Sequence, residues 1–247
     1  MDSPGYIILS RLSAQMRATQ VSAHNLANAD TPGFRASRPV FAEHVAQQGR
    51  VEGPRAGRSV GYAWDRATWR DAAPGPITRT GNPLDVAIAG EGWFSVETPR
   101  GERYTRAGRF ALAPDGRLVD QQGHAVLDAN GQPIAFAPND TRIEILGDGT
   151  IRSENGVIGR LRVVRFADEQ ALRAEGDRLL DADGQAPEEV ARPQLIQGAV
   201  EGSNVQAVVE LTRMMAELRE FQLAAQFLDR ETERQQAVIE RLLRRRG

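Results

Sequence analysis

Apolar residues recur at helical spacing in two stretches of the chain, one at each end. Between residues 4 and 29, Leu9, Leu12, Met16, Thr19, Ala23 and Leu26 follow one another at steps of 3, 4, 3, 4 and 3, which places them on one seam of a helix. Ser3 before Pro4 predicts an N-cap and first-turn pair, and Asn28-Ala29-Asp30-Thr31-Pro32-Gly33 predicts the stop. At the other end Leu211, Met214, Leu218, Phe221, Ala225 and Leu228 repeat the same steps, and the seam returns at Ile239 and Leu242. Ser203 with Gln206 three residues later predicts a capping box at the start of this helix. No Pro or Gly interrupts it before Arg246. A helix of about 40 residues is about 60 Å long, more than a compact domain of this size can cover.

The texture between the helices is different. Residues 35–75 are rich in Arg, Gly and Pro with little periodicity, which predicts an extended linker. From 76 to 200, short apolar runs alternate with the turn dipeptides Asp115-Gly116, Asn130-Gly131, Asp148-Gly149, Asn155-Gly156 and Asp183-Gly184. The strand candidates are Leu84–Ile88, Trp93–Glu97, Phe110–Leu112, Arg142–Leu146 and Gly159–Phe166. Without α/β alternation this reads as an all-β middle domain. The fold class is therefore α+β. N- and C-terminal helices (1–34 and 201–247) form a coiled-coil-like helical domain around an extended linker (35–75) and an all-β domain (76–200). A lone amphipathic helix is marginal in water, and each buried Leu-sized side chain contributes ~1.5–3 kcal/mol. The two seams are thus candidates to pair with each other and with copies of themselves. The alternative, both helices packed on the β domain, is disfavoured by the length of the second.

Composition narrows the function. The net charge of −2 gives no field suited to nucleic acid or an acidic membrane surface. All 31 basic residues are Arg, as a GC-rich coding sequence or a preference for bidentate pairing would each produce. With no cysteine, disulfides, thiol nucleophiles and Cys-based metal sites are excluded. The first residues lack the basic and apolar regions of a secretory signal, and no run reaches the ~18 apolar residues of a membrane span.

Chemistry was sought in several motifs. Gly57-Arg58-Ser59-Val60-Gly61 matches GxSxG, and Ser59, Asp115 and His124 occur in hydrolase order, but no helix is expected after the serine. His24, His44 and His124 lie far apart, without a second ligand at metal spacing. Asp181-Ala182-Asp183-Gly184 opens like a calcium loop that Gln185-Ala186-Pro187 cannot complete. Gly90-Glu91-Gly92 precedes a strand rather than a phosphate-binding helix. Arg244-Arg245-Arg246 suits the negative end of a helix dipole. The expectation is no catalytic, metal or cofactor-binding residue and no cofactor.

Three segments resemble the flagellar axial proteins, the family of rod and hook subunits. They are Asn25-Leu26-Ala27-Asn28-Ala29-Asp30-Thr31-Pro32-Gly33-Phe34-Arg35, then Thr80 to Phe94 continued by Tyr104 to Phe110, then Glu201-Gly202-Ser203-Asn204-Val205 with Arg219-Glu220-Phe221-Gln222. The family usually has Asn where this chain has His24. The short β domain and the Gly159–Phe166 and Asp181–Arg192 stretches resemble the proximal rod members, with the distal rod as near neighbour. The resemblance implies a non-enzymatic structural subunit that transmits torque from motor to hook. It implies export through the flagellar type III apparatus without a cleaved signal, a place in the periplasm-spanning rod of the basal body, and partners that are copies of itself and other rod proteins. It implies that Leu9, Leu12, Met16, Leu26, Leu211, Met214, Leu218, Phe221 and Leu228 make helical packing within and between subunits. Asn25, Asn28, Gly33 and Phe34 would form the turn leaving the helical core. Ser203 would cap the return helix, with Asn204 beside it.

Overall fold

The computed structural model describes residues 3–47 and 59–244. The chain divides into two compact units: a helical unit drawn from 1–27, 37–69 and 206–247, and a β unit of 28–36 and 70–205.

In the helical unit, α1 (Ser3–Ala27) and α2 (Ala207–Arg244) accompany a two-stranded sheet of β1 (Ser37–Gln47) and β2 (Ser59–Arg70). Two long strands thus occupy much of the stretch expected as an extended linker. The helices run antiparallel. Gln15 donates to Glu220 at 3.1 Å, Ser22 to Glu217 at 3.3 Å and Asn25 to Glu210 at 3.5 Å, so rising numbers on α1 meet falling numbers on α2.

The buried side of α1 is Ala14, Gln15, Ala18, Val21, Ser22 and Asn25. At 3.6 residues per turn this side lies roughly 130° around the helix from the apolar seam. Leu9 and Met16 are more than half exposed, Leu12 and Leu26 partly buried. The expectation that the two seams face each other is corrected on the α1 side. Periodicity tells which face of a helix wants burial, not which neighbour supplies it. Here small residues allow close approach, and polar ones find partners across the gap. On α2, Met214, Phe221 and Leu228 share the α1-facing side with Glu210 and Glu217 and are partly buried. Leu211 and Leu218 do not, and with Val208 and Met215 they form an exposed apolar stripe.

The capping box is also corrected. The helix starts at Ala207, and Gln206 O accepts the first intrahelical bond, from Glu210 N at 3.0 Å, so Gln206 is the N-cap residue. Ser203 Oγ instead accepts from Val205 N at 3.1 Å, a tight turn three residues before the helix.

The strands of the β unit pair antiparallel throughout. They are β3 (Ile77–Arg79), β4 (Val86–Ile88), β5 (Trp93–Thr98), β6 (Gly101–Thr105), β7 (Ala111–Leu112), β8 (Leu118–Val119) and β9 (Ala125–Val126), then β10 (Glu144–Ile145), β11 (Thr150–Ser153) and β12 (Gly156–Arg160). The rest are β13 (Val163–Arg165), β14 (Arg173–Gly176), β15 (Leu179–Asp181), β16 (Glu188–Glu189), β17 (Leu195–Gln197) and β18 (Ala199–Glu201). The main sheet has the order β14-β15-β6-β5-β9-β8-β7, with β13 on β5 and β16 on β13. The strands β10, β11 and β12 form a second sheet, and β17-β4 and β18-β3 are pairs.

β5 is central because it buries side chains on both faces. Successive side chains of a strand point to opposite faces, so Phe94 and Val96 enter one core with Phe110, Leu118, Ile151 and Leu161, while Trp93 enters another with Tyr104, Phe166 and Leu180. The register keeps the two cores apart: Val163 stands opposite Phe94 in the first, Val164 opposite Trp93 in the second. Edge-to-face ring pairs close each core, Phe94 on Phe110 at 5.2 Å and Tyr104 on Phe166 at 4.7 Å.

Candidate assembly sites

The helical unit presents the larger candidate surface. Leu9 and Met16 on α1, and Val208, Leu211, Met215, Leu218, Leu223 and Phe227 on α2, all expose 42 to 78% of their area. Exposed apolar residues scattered singly need no explanation, but rows at helical spacing do. Beneath this surface the polar contact is specific. Asn25 is fully buried; its Nδ2 donates to Ser37 O and its Oδ1 accepts from Ser37 N, both at 2.8 Å. One side chain thus satisfies both backbone groups of the first residue of β1, as a neighbouring strand would. Glu210, 1% exposed, sits in the first turn of α2, where a carboxylate complements the helix dipole. It also accepts from Arg38 and from Arg213, the latter at 3.2 Å.

The β unit holds a second constellation, built from three segments distant in sequence. Glu201, at the end of β18 and 1% exposed, is bound on both carboxylate oxygens. Its Oε1 accepts from Arg35 Nη2 at 2.9 Å and Gly75 N at 3.0 Å, and its Oε2 from Arg106 Nη1 at 3.0 Å. Both guanidiniums are 5% exposed. Arg35 also donates to the carbonyls of Ala72 and Ala73, and Arg106 to that of Gly90 at 2.8 Å, with its guanidinium 5.4 Å from the Trp93 ring. Burial pulls the Arg35 pKa down and Arg106 adds to that, against the opposing pull of Glu201. Asn204 ties two neighbouring segments to the end of β18: its Oδ1 accepts from Ala36 N at 2.7 Å, and its Nδ2 donates to Asp71 O and Ala73 O at 3.1 and 2.9 Å. Of these residues, sequence reasoning had named Asn204 alone as a site. Arg35, Arg106 and Glu201 stood in the quoted motifs, but nothing in their spacing announced a buried triad.

Asn28, Thr31, Gly33 and Phe34 form two consecutive turns, with Thr31 N donating to Asn28 O and Phe34 N to Thr31 O, each at 3.2 Å. Gly33 N then donates to Glu201 O at 2.8 Å. Gly33 has φ +70°, and a Cβ there would sit 2.6 Å from the backbone of Arg106 and Ala107. Replacing it by alanine is expected to cost about 3 kcal/mol, for left-handed strain plus the clash. Gly81, at φ +76° with open space around it, serves as control: Gly81→Ala should cost only about 1 kcal/mol. Urea midpoints of the two variants measure the difference.

The motifs considered for chemistry take structural places. Ser59 opens a strand, β2, rather than standing before a helix; Gly57 and Arg58 lie outside the described residues. His124 Nδ1 meets Asp120 Oδ2 at 3.0 Å, and Asp115 is bonded to Arg117. Asp181 pairs with Arg103 at 3.0 Å and accepts from Asp183 N in its own turn. Among the described residues no three His, Asp or Glu side chains are grouped for a metal, and no helix is long and apolar enough to cross a membrane. His24 lies exposed in the last turn of α1. His44 lies in β1, its side chain outside the described set, as are Arg245 and Arg246.

Comparison with known proteins covers the same segments. Residues 6–35 match the family model of the flagella basal body rod protein, 87–153 that of the flagellar hook protein FlgE/F/G D1 domain, and 196–241 that of the flagellar basal body rod FlgEFG protein C-terminal region. The flagellar basal-body rod protein FlgF of Caulobacter vibrioides is 34% identical over 98% of each chain. FlgF of Escherichia coli K12 is 36% identical over 90% of this chain and 91% of its own. FlgG of Agrobacterium fabrum is 32% identical over 88% of this chain and 90% of its own. With FlgF relatives at 34 and 36% identity covering 98 and 90% of it, the chain belongs to the flagellar basal-body rod protein family.

Proposed function

We propose that the chain is a structural subunit of the proximal rod, FlgF-like, that assembles through its terminal helices and passes torque from motor to hook. The observation that carries this reading is the apolar seam of α1, which its own α2 leaves open: Leu9 and Met16 are 52 and 57% exposed. A seam of that kind is stable only against another helix. We assign that helix to a neighbouring subunit, in a coiled-coil-like core of 1–34 and 201–247. Residues 76–200 would form the all-β domain and 35–75 the connecting segment. The relatives are structural rod proteins, so the role is mechanical rather than enzymatic. Export through the type III apparatus without a cleaved signal, and a place in the periplasm-spanning rod, follow from the same reading.

Deletion of the gene, followed by electron microscopy of the cell envelope, tests it. Basal bodies that stall before a hook forms are expected; normal, turning flagella would overturn the assignment. The distal rod is the second reading, because FlgG relatives also match across most of the chain. Stalled structures that already carry a proximal rod would favour it.

A further inference from the structure

The contact between α1 and α2 leaves two buried acceptors without donors. Glu217 Oε1 accepts from Ser22 Oγ at 3.3 Å, but its Oε2 is buried with no hydrogen-bond partner. Across the contact, Gln15 uses its amide nitrogen on Glu220 at 3.1 Å, and its Oε1 is likewise buried without a partner. Glu217 and Glu220, three residues apart, are neighbours on the surface of α2. Both orphaned acceptors lie in the contact between α1 and α2, Gln15 about two turns before Ser22 on α1. A buried acceptor without a donor destabilises the state that buries it.

The charges around Glu217 do not relieve this. From α2 come Glu210, Glu220 and Arg213, from α1 Arg11, and from β1 Arg38. Arg38 and Arg213 are engaged by Glu210, and Arg11 reaches Glu220 only at 3.9 Å, with both side chains exposed. Burial raises the Glu217 pKa, and Glu210 and Glu220 raise it further, against the lowering effects of Ser22 and Arg213. Protonation removes the cost of burying this charge without moving a heavy atom.

We propose that Glu217 is a proton-operated latch of the terminal helix pair: as the neutral acid it packs against α1 without burying an unpaired charge, and as the carboxylate it loosens the two helices. The sign follows from linkage. With the pKa higher in the paired state, pairing is at full strength below the ordinary glutamate value of 4.5 and weakens as pH rises above it. At neutral pH the latch favours release of α1 from its own α2.

The absence of cysteine makes the test clean. Gln20→Cys and Ala216→Cys place spin labels on exposed positions of α1 and α2 in the full chain. Pulsed electron paramagnetic resonance then reads the width of the distance distribution at pH 5 and pH 8. At least a doubling of the width at pH 8 is expected. In Glu217→Gln, and in the apolar Glu217→Met, the distribution should stay narrow at both values, while Glu233→Gln, an exposed position further along α2, should keep the pH response. Equal widths at the two pH values, broad distributions at pH 5 in both Glu217 variants, or an undiminished response in Glu217→Gln would each overturn the latch.

Discussion

Glutamate in place of Leu9 and Met16 is expected to abolish incorporation of the subunit into the rod while leaving its β unit folded. Both residues are more than half exposed on the single chain, so the substitutions remove little from the monomer. Exposed substitutions of this kind usually change stability by no more than ~0.5 kcal/mol. In an assembly that buries them, the loss is about 2 kcal/mol for each side chain, with the added cost of a carboxylate in an apolar contact. About 4 kcal/mol is roughly a thousandfold in affinity. The expected phenotype is loss of swimming with normal levels of folded protein in the cell. Leu211→Asp with Leu218→Asp should act alike from the α2 stripe. Ala14→Leu, on the side of α1 that meets α2, should instead destabilise the helical unit itself, as overpacking of a close contact does. Circular dichroism of the purified variants separates the two classes.

Glu201→Ala is expected to be the most destabilising single change in the β unit. It leaves the side chains of Arg35 and Arg106, each 5% exposed, buried beside one another without their paired carboxylate. Removing one partner of a buried ion pair costs about 3–5 kcal/mol, a large part of the ~5–15 kcal/mol that holds a domain. It also frees Gly75 N, which Glu201 accepts at 3.0 Å. A fall in melting temperature of roughly 10 °C or more should result. Glu188→Ala is the control, because its pair with Arg165 is well exposed on both sides and should contribute at most ~1 kcal/mol. A Glu201→Ala variant that melts with the parent would show that the triad does not hold the three segments together.

How far the structure was legible in the sequence depended on the kind of signal. The helices were written in long apolar repeats, and α1 ends at Ala27, where Asn28 to Gly33 gather the helix breakers. β5 could be read from Trp93 to Glu97 because Trp93, Phe94 and Val96 fall together after the Gly90-Glu91-Gly92 turn. β6 could not, since Gly101-Glu102-Arg103-Tyr104-Thr105 buries only Tyr104 and Thr105. In the presumed linker, Val60, Tyr62 and Trp64 do alternate at the period of a strand, but the surrounding Arg, Gly and Pro concealed it.

The sites divided in the same way. The seam residues were found by spacing, yet spacing could not tell that α1 turns Ala14, Ala18 and Ser22 toward α2 and leaves Leu9 and Met16 outside. That choice depends on which side chains let two helices approach. The triad escaped because 95 residues separate Arg106 from Glu201, and only the folded chain brings a buried charge its partners. Ser203 was misread because its motif opens a turn as readily as a helix, and here Gln206 takes the cap.

The most direct measurement is photo-crosslinking from position 16 in purified basal bodies, with a photoreactive amino acid replacing Met16. An adduct joining α1 to a terminal helix of a second subunit is the expected result. An adduct confined to the chain's own α2, or none at all in intact rods, would contradict assembly through the open seam.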